Sequence, residues 1–145
     1  MSPQIYPRVR AIIHRTFAEH HDALTSDVVM PVPLHRVREH HRGFNQAAII
    51  ARLVSRESGL RFDDRSLQRI KPTERHRAGM DASDRSHSVE RAFEVMSRDV
   101  IDGVSVLLVD ALLTTGSTIS AATQSLLAAG AKQVKVLTLA RVRDS

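Results

Sequence analysis

A chain of 145 residues with 42% hydrophobic and 26% charged residues has the size and balance of a single domain able to bury one core, which excludes wholesale disorder and low-complexity architecture. It has no cysteine, so disulfides, thiolate zinc sites, iron–sulfur clusters and cysteine nucleophiles are excluded; no apolar run nears the ~18 residues of a bilayer span, and residues 1–10 lack a signal peptide's apolar core. A cytoplasmic protein without membrane contact is predicted, and its formal charge of +5 suits a polyanion; with 3% aromatic residues and no Trp for stacking, a small phosphorylated ligand is favoured over nucleic acid.

Val9, Ile12, Ile13 and Phe17 recur at helical spacing behind Pro7, which predicts a first helix over Pro7 to Glu19. The apolar run from Val28 to Leu34 reads as a short strand entering an irregular loop, since Pro31 and Pro33 suit a strand only at its end or on an edge. Ala47, Ala48, Ala51 and Val54 mark one face of a second helix, stopped at Ser58-Gly59. Ser66 to Ile70 is a weak strand candidate. The polar stretch from Lys71 to Glu90 lacks periodicity and is too long for a routine connector, so it reads as a lid or binding segment. Ala92 to Val95 predicts a short strand. After the Asp102-Gly103 turn, Val104 to Val109 is apolar enough to be a parallel strand buried on both faces, hence the sheet centre. Ile119, Ala122, Leu126, Leu127 and Ala129 give a helix ended by Gly130, and Val134 to Leu139 a last strand. The alternation predicts an α/β domain with a mostly parallel twisted sheet flanked by helices.

The chemistry concentrates where the central strand ends. Asp110, Ala111, Leu112, Leu113, Thr114, Thr115, Gly116, Ser117 and Thr118 run from a carboxylate through a hydroxyl-rich turn into a helix. The unpartnered N–H groups of a helix's first turn, with its dipole, attract a phosphate; Gly116 permits close backbone approach, and the hydroxyls add donors. Asp110, an acceptor-only anion, suits the diol edge of a ribose. Donors for a phosphate beside an acceptor for a diol describe a ribose 5-phosphate site, at the position where open α/β sheets bind ligands. Arg36, Arg38 and Arg42 fall between the first strand and the second helix, where their charges and that helix's N-terminus can meet a diphosphate.

The stretch Val106 to Thr118 resembles the phosphoribosyl-diphosphate motif of type I phosphoribosyltransferases: four apolar residues, two acidic residues and a Thr-Thr-Gly turn. Ala111 departs from it, standing where the family has its second acid. Pro31-Val32-Pro33-Leu34-His35-Arg36, Arg38 and Arg42-Gly43-Phe44-Asn45-Gln46 are similar to the first strand and diphosphate loop of the ComF-type (competence protein F) group, and Arg77-Ala78-Gly79-Met80, Arg85 and Ala92-Phe93 follow that group's later pattern. The resemblance covers Val28 to Arg141 and implies a single phosphoribosyltransferase-like domain over 1–145, without the four-cysteine zinc module of many relatives. It implies a phosphoribosyl transfer from phosphoribosyl diphosphate to a nitrogenous base or amine. Asp110 would act as the catalytic residue, holding the ribose and stabilising the positive charge developing on it, and would hold magnesium through water; residues 110–118 would bind ribose and 5-phosphate, His35, Arg36 and Arg42 the diphosphate, and Arg77 and Arg85, with Arg75 and His76, would serve as lid residues. A homodimer is compatible with it.

Two other classes stay open: a non-catalytic phosphoribosyl-ligand sensor or competence-associated interaction protein, in which Ala111 marks lost chemistry, and a basic nucleic-acid-binding domain. The eight histidines, with His20-His21 and His40-His41 adjacent, show no His-Glu-x-x-His spacing, and neighbouring side chains diverge, so no zinc site is predicted.

Overall fold

A computed structural model describes residues 6–34, 45–70, 92–113 and 116–141. In chain order they form α1 (Tyr6–Leu24), β1 (Val28–Pro31), α2 (Gln46–Ser58), β2 (Arg61–Phe62), β3 (Leu67–Arg69), β4 (Phe93–Val95), α3 (Arg98–Ile101), β5 (Ser105–Leu113), α4 (Ser117–Ala128) and β6 (Gln133–Arg141). Strands β2-β1-β5-β6 make a parallel sheet in that order, and β3 and β4 pair antiparallel as a separate ribbon. The α/β architecture expected from the sequence is the one observed.

Strand alternation divides the core into two layers. Val28, Met30, Val32, Val106 and Leu108 face α4, α3 and the ribbon, where they pack with Leu67, Phe93, Ile101, Ile119, Ala122 and Leu126. Val29, Leu107 and Val109 face α1 and α2, against Ile13, Phe17, Ile50, Ala51, Leu53 and Val54. Val106 to Val109 are fully buried, as a strand covered on both faces must be. Apolar residues at helical spacing (Ala47, Ile50, Ala51, Val54) form the buried stripe of α2.

The boundaries depart from the sequence reading in ways the chain explains. Helix α1 runs five residues past Glu19, with a break in helical geometry at His20 (φ −128°, ψ 31°). Strand β2, two residues long, was not anticipated; Val29's carbonyl accepts the Asp63 N–H at 3.0 Å, and the next residue of β1 facing β2 is Pro31, which has no N–H to continue the ladder. Strand β5 extends to Leu113, so Asp110 and Ala111 belong to the strand and the turn begins later than expected. At the opposite end of the sheet, Gly130 (φ 101°) closes α4 and its carbonyl accepts the Gly103 N–H at 2.8 Å, fixing the entry into β5. A Cβ there would meet the end of the exposed Asp102 side chain, which can swing aside, so it is the left-handed backbone that calls for glycine.

Candidate functional site

From β1 the chain passes through α2 to β2 on one side of the sheet, and from β5 through α4 to β6 on the other. The carboxyl ends of β1 and β5 therefore flank the point where the winding reverses, which is where such sheets open a crevice.

The opening can be followed bond by bond. The Val32 N–H donates to the Val109 carbonyl at 2.8 Å, the last rung between these strands. Ladder geometry would next put the Ala111 N–H on the Val32 carbonyl. Instead the Asn45 side-chain amide donates to the Val32 carbonyl at 3.2 Å, and the Ala111 N–H donates to Asp110 Oδ1 at 2.8 Å. Both backbone groups are satisfied by side chains, so the strands separate without leaving an orphaned polar group.

Asp110 is half-buried on the face of β5 shared with Val106 and Leu108. Thr138 of β6 lies directly across from it and is half-buried too, a hydroxyl neighbour that the sequence reading did not single out because only register reveals it. Ala111 points the other way, on the face of β5 shared with Leu107 and Val109, where it packs against that apolar layer. The position that departs from the acidic pair is thus an apolar packing position. Leu112 and Leu113 continue the strand backbone.

Gly116 then takes the left-handed conformation (φ 82°, ψ −3°) as the N-cap of α4, its carbonyl accepting the Ser120 N–H at 2.9 Å. It contributes no side chain to the helix's first N–H groups, so the backbone of Ser117 and Thr118 starts the helix beneath a bare cap. Ser117 is exposed and Thr118 half-buried. The N-terminus of α2 differs: Asn45 Oδ1 accepts the Ala47 N–H at 3.0 Å, so that helix end is capped by its own side chain. Of the two helix starts expected to face an anion, the one on α4 carries no side-chain cap.

Thr114 and Thr115 lie outside the described residues, as do His35, Arg36, Arg38, Arg42, Arg75, His76, Arg77 and Arg85. Ile70 and Ala92, the described residues on either side of the stretch that includes Arg77 and Arg85 in the sequence, are joined by a 2.8 Å backbone bond. Strand β4 packs through Phe93 on the face of the sheet that Val106 and Leu108 share with Asp110, and β3 is paired to it. Arg69 sits there, buried, with its guanidinium 5.2 Å from the centre of the Phe93 ring. A buried arginine so placed was not legible in an otherwise weak strand signal.

Asp63, at the same end of the sheet on the β2 side, is taken up by its own turn. Burial works against its charge, but bonds from the Ser66 hydroxyl and the Ser66 and Arg65 N–H groups outweigh it and hold the carboxyl below its ordinary range. Among the described residues no three His, Asp or Glu side chains form a metal cage, and none of the helices is long and apolar enough to cross a membrane.

A model of the phosphoribosyl transferase domain matches residues 3–145. The chain belongs to this family. Competence protein F of Haemophilus influenzae is 32% identical over 122 residues, which are 83% of this chain and 53% of that protein. Competence protein ComFC of Bacillus subtilis is 33% identical over 118 residues, 79% of this chain and 44% of its own length. The chain spans about half the length of the curated relatives it matches, and the ComF-type resemblance is the one they bear out. Among solved structures, adenine phosphoribosyltransferase of Saccharomyces cerevisiae superposes with a TM-score of 0.63 at 14% identity over 97% of this chain and 70% of that one, a likeness of fold alone. In this phosphoribosyl transferase domain, the separated β1 and β5 ends and the bare cap of α4 occupy one corner of the sheet.

Proposed function

We propose that this domain binds phosphoribosyl diphosphate at the β1–β5 crevice and transfers its phosphoribosyl group to a nitrogenous base or amine. The observation that carries the reading is the parting of the strands after Val32 and Val109, with a half-buried carboxylate, Asp110, on one wall and the uncapped start of α4 a few residues on. A sugar lying between them meets an acceptor for its hydroxyls at Asp110 and N–H donors for its 5-phosphate at Gly116 to Thr118, with Thr114 and Thr115 adding hydroxyls. His35, Arg36 and Arg42 hold the diphosphate, and Arg77 and Arg85 cover it. Positive charge developing on the ribose ring is stabilised by Asp110, so most of the rate enhancement is positioning and electrostatics.

Magnesium fits as an ion carried by the substrate. Its hard-oxygen preference and its habit of using one or two carboxylates plus phosphates suit a lone Asp110 acting through water, where a protein cage is lacking among the described residues. When bound it offsets the charge of the leaving diphosphate.

A second reading is favoured by one observation: Ala111, at the position of the family's second acid, packs into the apolar layer and leaves Asp110 as the lone acid of the pair. A domain so built can hold the ligand without turning it over, as a phosphoribosyl-ligand sensor, and the names Competence protein F and Competence protein ComFC among its relatives support a competence setting for that reading. A magnesium-dependent diphosphate-release screen over purine, pyrimidine and amine acceptors separates the two. Release with any acceptor supports transfer; binding without release across the screen supports the sensor; neither binding nor release removes both.

A further inference from the structure

We infer that Asn45 is a positioning residue that holds the crevice open and, through it, orients Asp110; this rests on the ligand reading above. Asn45 uses both ends of its amide. Oδ1 accepts the Ala47 N–H at 3.0 Å and Nδ2 donates to the Val32 carbonyl at 3.2 Å. The amide orientation is fixed by these partners, since flipping it would set donor against donor and acceptor against acceptor. The Asn45 amide lies on the Val32 carbonyl, the oxygen to which one more rung of ladder would bring the Ala111 N–H, and so competes with that rung. The Ala111 N–H donates instead to Asp110 Oδ1 at 2.8 Å, one of the contacts that orient the carboxylate. Asn45 therefore acts at a distance: it touches the β1 end and the α2 start, and its effect is felt on β5.

The test separates this role from helix capping. Asn45→Ser keeps a good cap but is too short to reach the Val32 carbonyl; Asn45→Asp keeps the cap acceptor and has no donor. The partner of the Ala111 N–H is read by NMR from scalar coupling across the hydrogen bond: in the native chain no coupling to the Val32 carbonyl carbon is expected. In Asn45→Ser that coupling is expected to appear as the N–H moves to the Val32 carbonyl, with ribose 5-phosphate affinity falling roughly 2- to 10-fold because the new rung competes with the ligand-ready arrangement. Should the serine variant fail to fold, the aspartate variant supplies the same measurement. A coupling still absent in the variant that folds overturns the inference, whatever the affinity. If the native chain leaves ribose 5-phosphate unbound while the coupling behaves as described, the ligand reading fails and the bond exchange at Asn45 stands.

Discussion

Substituting Asp110 two ways separates its structural work from its ligand work. Its Oδ1 accepts the N–H of half-buried Ala111 at 2.8 Å, while the Val32 carbonyl, the ladder acceptor for that N–H, takes the Asn45 amide. Asp110→Ala removes the acceptor of a half-buried N–H, at a cost of about 1–3 kcal/mol. For a chain of this size the loss lowers Tm by roughly 2–10 °C. Asp110→Asn keeps an oxygen in the same place, so its Tm is expected to stay within a few degrees of native. Ligand binding should respond differently: both variants lose the charge-assisted bond to a sugar hydroxyl, worth about 1.5–3 kcal/mol, or roughly ten- to a hundredfold in affinity. Thermal melts and calorimetric titration with ribose 5-phosphate read the two effects independently. An Asn variant that binds as tightly as the native chain refutes the assignment of Asp110 to the sugar.

Other consequences are equally accessible. Ala111→Asp sets a carboxylate into the apolar layer of Leu107 and Val109 and is expected to destabilise the fold by about 1–3 kcal/mol; an unchanged Tm would show that this face is not the apolar layer described. Gly130→Ala meets both a left-handed backbone and the Asp102 side chain, so a loss of about 1–3 kcal/mol in a denaturant melt is expected, only partly recovered by adding Asp102→Ala; full recovery would mean that φ contributes nothing. Glu57 of α2 accepts from Arg10 Nε of α1 at 2.6 Å and lies 3.3 Å from His14 Nδ1. The Arg10 bond, above all, holds its carboxyl below the ordinary 4.5. A pKa lower folded than unfolded means that this α1–α2 tie is in force above pH 4.5 and is lost as pH falls through the folded value. Glu57→Gln should therefore lower Tm near neutrality and match the native chain in acid; a difference constant with pH would contradict the tie.

The sequence exposed the fold where single residues carry a strong physical meaning. Four apolar residues before Asp110 mark the central strand because burial on both faces tolerates nothing else, and Gly130 and Gly59 end helices where the chain needs a left-handed residue. Strand β2 was hidden because two residues with an exposed Arg61 have no pattern to read, and its length is set by Pro31 on its neighbour. The site was legible as a list and not as a geometry. Asp110 and Gly116 stand out from spacing alone, whereas Thr138 joins only through register across β5 and β6, and Asn45 gains its role only once Val32, Ala111 and Asp110 are seen to exchange partners. Ala111 was visible as a missing acid; that its side chain belongs to the opposite layer from Asp110 follows from strand alternation in a strand that runs on to Leu113.

Backbone amide shifts recorded while ribose 5-phosphate is added to the full chain test the central claim most directly. The account requires the largest changes at Ala111, Gly116, Ser117 and Thr118, with saturation, and small ones along α1 and the outer face of α2. Saturable changes confined to the α1–α2 layer, or none at any site, would contradict it.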